Sequence, residues 1–168
     1  MHHKSLRRSL LAAAFAAPLL SACGFRLRGS FTAPFETMYL QTNANTPFYT
    51  VLRQTIESGS NVRIVRRAQE AEAILEILRM ERTRDVLTFN DTGLAREYEL
   101  TLDLEFRLTA PDGYEYLPAT HLSTSRDLTY SESEFLSREK EEEMLYVDME
   151  NDLIAQLVRY IEAVKAPQ

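Results

Sequence analysis

Cysteine is nearly absent from this chain: one residue, Cys23, in 168. A single thiol closes no internal disulfide and cannot by itself build a structural zinc site. Histidine is scarce too, three residues, of which His2 and His3 sit at the extreme N-terminus. No Gly-rich loop of the kind that cradles phosphate is present. No segment repeats, and no low-complexity linker divides the chain. Long apolar runs are missing: Leu10 to Leu20 falls well short of the ~20 residues that a membrane-spanning helix needs. Cations are outnumbered, with a formal charge of -6, which argues against nucleic acid as a partner.

What is present at the front reads as an export signal. Lys4, Arg7 and Arg8 precede the apolar run, and Ser21-Ala22 follow it as a small-residue cleavage site. Leu20-Ser21-Ala22-Cys23 resembles the lipobox of bacterial lipoproteins. That resemblance implies a diacylglyceryl group on the Cys23 thiol and, after cleavage, a third acyl chain such as palmitate on its new amino group. Burial of acyl chains contributes about 0.8 kcal/mol per CH₂; one chain holds marginally, and three hold in effect permanently. Gly24, rather than Asp, follows the cysteine, which by the same resemblance favours the outer membrane. Residues 1–22 are then a cleaved signal peptide, and residues 23–168 a single periplasm-facing domain. Loss of the leader removes His2, His3 and three cations, so 146 residues remain with a charge of -9. That length and a hydrophobic share of 45% are enough for one packed core.

Thr37 to Thr42 alternates as a short strand. Thr46 suits a helix N-cap and Pro47 the first turn, with Phe48, Val51, Leu52, Thr55 and Ile56 along one face. Ser58-Gly59-Ser60 ends that helix in the manner of a glycine C-cap, and Val62, Ile64 and Val65 make another short strand. From Ala71 to Phe89 the composition favours helix, yet no helical stripe forms. From Tyr98 to Leu108, apolar Tyr98, Leu100, Leu102, Leu104, Phe106 and Leu108 alternate without a break against polar neighbours, the pattern of a half-buried strand. With Asn90-Asp91-Thr92-Gly93 as a turn, the ambiguous segment becomes the other arm of a hairpin. Pro111-Asp112-Gly113 is a second turn, and Tyr114 to Thr129 returns as a third long antiparallel strand. Ser131 with Glu134 offers a capping box, with a start nearer Arg138 as the alternative. Tyr146, Met149, Leu153, Leu157, Ile161 and Val164 then form the stripe of a long final helix that Pro167 terminates. The expected class is α+β, two helices on one face of a sheet dominated by a meander, with the other face open and polar.

No residue set stands out as catalytic. His121, Ser123, Ser125 and Asp127 share one strand face, but neighbouring side chains on that face are ~7 Å apart, beyond the reach of a serine–histidine pair. No nucleophile-elbow motif accompanies them. A periplasmic hydrolase using His121 is thus a remote third class of function. His121 is the only histidine left after cleavage, too few for a histidine metal site. Glu139, Glu141, Glu142 and Glu143 read as a solvated first helical turn that suits the helix dipole. Sets of arginines, among them Arg79, Arg82 and Arg84, could clamp anions, although surface ion pairs are their commoner use.

Several of these pieces together resemble the LPS-assembly lipoprotein LptE family. Cys23-Gly24-Phe25-Arg26-Leu27-Arg28-Gly29 is similar to its mature start. The turn ending in Gly93 and the run Arg96-Glu97-Tyr98-Glu99 resemble its central hairpin. Arg138 to Met149, with Leu153, Gln156-Leu157 and Arg159, resembles its last helix. The resemblance implies two helices packed on one face of a mixed, largely antiparallel four-stranded sheet. It implies a non-enzymatic outer-membrane lipoprotein with no cofactor beyond the lipid on Cys23. Its partners would be an LptD-type outer-membrane β-barrel, in whose lumen it sits as a plug, and lipopolysaccharide on its way to the outer leaflet. Family cations at the hairpin tip and just before the last helix are associated with lipopolysaccharide. Phe89 to Gly93 holds no cation, whereas Arg138 and Lys140 occupy the second place. A freestanding outer-membrane lipoprotein, acting as a pilot or binding module for another envelope complex, is the competing reading.

Mass spectrometry of the exported chain is expected to find it starting at Cys23 and carrying the mass of the acyl chains. An unmodified thiol at that position would remove the anchor.

Overall fold

The computed structural model describes residues 31–129 and 138–165, with Arg138 described in its backbone alone. Cys23 and the leader, the Ser131/Glu134 capping box and Pro167 lie outside the described residues. Along the chain come β1 (Thr37–Gln41), α1 (Pro47–Gly59), β2 (Arg63–Val65), a 3₁₀ turn (Ala68–Glu70), β3 (Ala73–Phe89), β4 (Ala95–Thr109), β5 (Glu115–Thr129) and α2 (Arg138–Glu162). The strands form one sheet in the order β2-β1-β3-β4-β5.

The sheet therefore has five strands where the family resemblance implied four. The extra one is β2, three residues long, which pairs with β1 in register Thr37 opposite Arg63. Both pairings of β1 are parallel: α1 carries the chain back to the start of β1 before β2, and the 3₁₀ turn carries it back again, across to the other side of β1, before β3. The β3–β4 and β4–β5 pairings are antiparallel and supply most of the paired length.

Helix α1 starts as its residues dictate. The Tyr49 amide donates to the Thr46 hydroxyl at 3.2 Å, and Pro47 occupies the first turn, where no amide is needed. Phe48, Leu52 and Ile56 are buried, and Val51 points outward. The helix ends at Gly59 without a left-handed glycine. Ser60, in extended conformation, donates its hydroxyl to the Ile56 carbonyl at 2.7 Å and accepts from the Val62 amide at 3.1 Å. Beside this end, the Phe31 amide bonds the Gly59 carbonyl, which places the first described residue at the lower end of the sheet.

The core is a one-sided seam. Leu100, Leu102, Leu104, Phe106 and Leu108 of β4 are fully buried on one face, and Met149, Leu153, Leu157 and Ile161 of α2 are equally buried. Each such side chain contributes about 1.5–3 kcal/mol relative to exposure. β3 explains its own ambiguous pattern. Ala73, Leu75 and Ile77 face the helices at odd positions; the ladder slips at Leu78, and Met80, Arg82 and Arg84 then stand opposite Leu104, Leu102 and Leu100. A bulge of one residue exchanges the faces of everything beyond it.

The sheet narrows upward. β1 ends at Gln41, opposite Glu76, and α1 begins at about that level. From Ile77 to Phe89, β3 has β4 on one side and no described strand on the other. Its hairpin closes over Asn90, whose Oδ1 accepts from the Thr92 amide (3.0 Å), the Thr92 hydroxyl (2.7 Å) and the Leu94 amide (2.8 Å). Gly93 and Gly113 take φ of 80° and 93° in the two turns.

A Cβ added at Gly93 meets no atom within 4 Å, so only its left-handed backbone opposes substitution. Gly93→Ala should cost roughly 1–2 kcal/mol in urea unfolding. Leu104→Ala, at a site with no exposure, should cost about 2–5 kcal/mol. A Gly93→Ala loss as large as that of Leu104→Ala would show the tip to be packed rather than free.

Candidate functional site

The residues singled out from sequence fall in different places. Cys23 lies outside the described residues. Arg138 heads α2; Lys140, in the same first turn, is exposed and makes no ion pair among the described residues. His121, Ser123, Ser125 and Asp127 do share the uncovered sheet face. The imidazole, however, lies with Nε2 3.0 Å from Asp103 Oδ1 on β4, and no described hydrogen bond joins it to either serine. The strand brings together a polar row, not a triad. Among the described residues no set of three His, Cys, Asp or Glu is arranged to hold a metal ion.

The helix side of the upper hairpin holds an ionic lattice that local sequence does not reveal. Arg82 donates through Nη1 to Glu143 at 2.9 Å and through Nη2 to Glu150 at 2.7 Å. Its guanidinium lies 4.6 Å from the centre of the Tyr146 ring, and the Tyr146 hydroxyl donates to the Thr83 carbonyl at 2.9 Å. Arg84 donates to Glu142 at 2.9 Å and lies 5.1 Å from the centre of the Tyr98 ring. Partial burial disfavours the Arg82 charge, but the hydrogen bonds to Glu150 and Glu143 outweigh it and raise its pKa above the usual guanidinium value. Burial, reinforced by Glu142, raises the Tyr146 pKa, although Arg82 and Arg84 pull it the other way. Glu142 and Glu143 are thus partners of β3 arginines rather than members of a merely solvated turn.

Most other arginines are also engaged: Arg53 with Glu57, Arg67 with Glu70, Arg79 with Glu81, Arg107 with Glu76, Arg126 with Asp152. Arg96 is not. It is exposed, has no ion pair among the described residues, and follows Ala95, the partner of Phe89 at the last rung before the turn. The sequence reading looked only within Phe89–Gly93 and so missed it; its closeness to the turn was the available signal. Phe89 and Leu94, 65% and 62% exposed, flank the same turn.

The uncovered face is acidic. Asp85, Glu99 and Asp127 stand directly opposite one another across three strands. Like charges in that arrangement oppose strand pairing weakly, and none of the three has an ion-pair partner among the described residues.

The two-layer α+β fold, two helices on one face of a mixed sheet, is a structural class shared with solved lipoproteins. Lipoprotein B from Nitrosomonas europaea superposes with a TM-score of 0.70 at 30% identity, covering 83% of this chain and 91% of that one. The rare lipoprotein B from Shewanella oneidensis shares the fold, with a TM-score of 0.63 at 22% identity, covering 73% and 91%. Residues 35–161 match the family model described as "LptE: Lipopolysaccharide-assembly". The LPS-assembly lipoprotein LptE of Photorhabdus laumondii is 25% identical over 143 residues, 84% of this chain and 78% of that protein. That of Yersinia enterocolitica is 27% identical over 172 residues, spanning 100% and 80%. The chain belongs to the LptE family of lipopolysaccharide-assembly lipoproteins.

Arg82→Met should lower stability by about 1–2 kcal/mol, the sum of partly exposed ion pairs and one cation–π contact. Arg107→Met, which loses one pair to Glu76 on the open face, should cost less than about 1 kcal/mol. Equal losses in urea unfolding would deny the lattice its role in holding α2 to β3.

Proposed function

We propose that this chain is the outer-membrane lipoprotein subunit of the lipopolysaccharide translocon. Anchored by lipid on Cys23 and folded as one domain over residues 23–168, it plugs an LptD-type barrel, assists that barrel's assembly, and contacts lipopolysaccharide during its delivery to the outer leaflet. It works as a non-catalytic subunit, with no cofactor beyond the lipid. The observation that carries this reading is the family match across residues 35–161.

Two features of the geometry support it. The lumen of a membrane barrel is polar and wet, and the bare sheet face offers carboxylates and hydroxyls to such surroundings. The length is also suitable. Phe31 lies at the lower end of the sheet, eight residues after Cys23, while the Asn90 turn lies at the upper end. The 15 residues of β4 span about 50 Å, close to the ~40–45 Å of a bilayer with its headgroups. A domain tethered at the periplasmic leaflet thereby carries its hairpin tip to the opposite interface.

Lipopolysaccharide combines phosphates with acyl chains, and the upper end combines cations that have no ion pair among the described residues with exposed apolar side chains. Arg96 on β4, and Lys140 with Arg138 two residues before it at the head of α2, are the phosphate contacts, by charge-assisted hydrogen bonds. Phe89 and Leu94 supply the apolar surface. Arg82 and Arg84 are already committed to carboxylates.

A tag placed after Gln168 should recover a large barrel protein from gently solubilised outer membranes; a free monomer alone would overturn the reading. Arg138→Glu combined with Arg96→Glu and Lys140→Glu should weaken lipopolysaccharide binding by about tenfold or more while the barrel is retained. Unchanged binding would remove these three residues from the role.

A further inference from the structure

The narrowing of the sheet leaves two features side by side. One is the edge of β3 from Leu78 to Phe89, whose outward backbone N–H and C=O groups meet no described strand. Such a row is a template for another strand. The other is a groove of about 440 Å³ between that edge, the start of α1 and the upper half of α2. Phe48, Met80 and Val147 give it apolar walls, and Arg82, Glu143 and Glu150 line its polar part.

We propose that the β3 edge receives an extended segment of the barrel partner as an added strand, and that the groove takes a lysine or arginine side chain of that segment. The inference rests on the plug reading and deepens it by naming where the partner's backbone enters. Strand addition draws affinity from main-chain hydrogen bonds and selectivity from pockets that accept alternate side chains. The groove lies on the helix side of β3, the side to which Met80, Arg82 and Arg84 belong, so every second residue of an added strand would point toward it.

The charge of the groove selects the side chain. Glu143 and Glu150 set two negative charges against the one positive charge of Arg82, which leaves the rim net negative. A phosphate is repelled there, and an apolar side chain leaves the excess carboxylate unmatched. A lysine or arginine lays its aliphatic stem along Phe48, Met80 and Val147 and brings its charge to Glu143, whose side chain is 61% exposed. The edge itself discourages indiscriminate pairing through the bulge at Leu78 and the charges of Arg79 and Glu81. A partner strand has to match both.

Val147 is 44% exposed and tolerates polar replacement. With this chain and its barrel co-expressed, Val147→Lys should weaken the complex by about tenfold, through like-charge contact with the incoming side chain. Val147→Glu should leave it as tight or tighter. In the intact complex, amides of residues 78–89 that exchange freely in the isolated chain should slow by about tenfold or more. Equal effects of the two variants, a reversed order, or unslowed amides in an intact complex would each overturn the inference. Slow exchange in the isolated chain accompanied by dimerisation would assign the edge to a second copy and overturn it as well. Failure of the wild-type chain to retain any barrel would instead strike the plug reading itself.

Discussion

The apolar seam between β4 and α2 is the constraint from which the rest of the architecture descends. Leu100 to Leu108 place five buried side chains at every second position of one strand, and α2 answers with Met149, Leu153, Leu157 and Ile161. A slip of one residue would turn that whole set to solvent. Register across β3, β4 and β5 is therefore held, and so is the side on which both helices lie. The opposite face has no covering layer among the described residues, and its apolar side chains, such as Tyr39 and Ile74, are few beside its charged and hydroxyl groups. Its acidic character follows from the same alternation, since Glu97, Glu99, Asp103 and Glu105 occupy the intervening positions.

Electrostatics divides the molecule along its length. Toward the middle and on the helix side, arginines are consumed internally: Arg82 joins Glu143 and Glu150, and Arg84 joins Glu142. These bridges span the gap where β1 and α1 no longer support the sheet, so they do the work that a second helix does lower down. Their worth is modest individually, as expected for partly exposed pairs, but they share carboxylates and rings and so act as one unit. A cation tied into such a unit is a poor lipid ligand. Arg96 and Lys140, outside it, have no ion pair among the described residues.

Much of the fold was legible because its signals are local. The alternation of β4, the Asn90 and Asp112 turns, the Thr46 cap and the apolar stripe of α2 each lie within a few residues of their cause. What escaped depends on distant partners. The strand at Val62, Ile64 and Val65 was itself legible, but its parallel pairing with β1, which makes the sheet five-stranded, depends on a partner over twenty residues away. The phase change at Leu78 blurs two clean half-patterns, Ala73-Leu75-Ile77 and Met80-Arg82-Arg84, into one that reads as neither strand nor helix. Glu142 and Glu143 looked solvated because their arginines lie 58 and 61 residues upstream. Ser60 rather than Gly59 ends α1, a choice made by a hydroxyl that reaches both Ile56 and Val62.

The shape that results has two tiers with unequal support. In the lower tier five strands carry two helices; in the upper, three strands carry the first half of α2. Stability rises with the number of neighbours that each strand has, so β3 is more readily opened above Ile77, where only β4 pairs with it, than below, where β1 does as well. Local opening energies are lowest where backbone groups face solvent, and those are the groups that a partner can stabilise by binding. The fold is thus packed from both sides at the end where Phe31 pairs with the close of α1, and more open along the upper β3 edge. That asymmetry closes the lower tier over its own core and leaves the upper β3 edge, among the described residues, with backbone groups that another strand could pair.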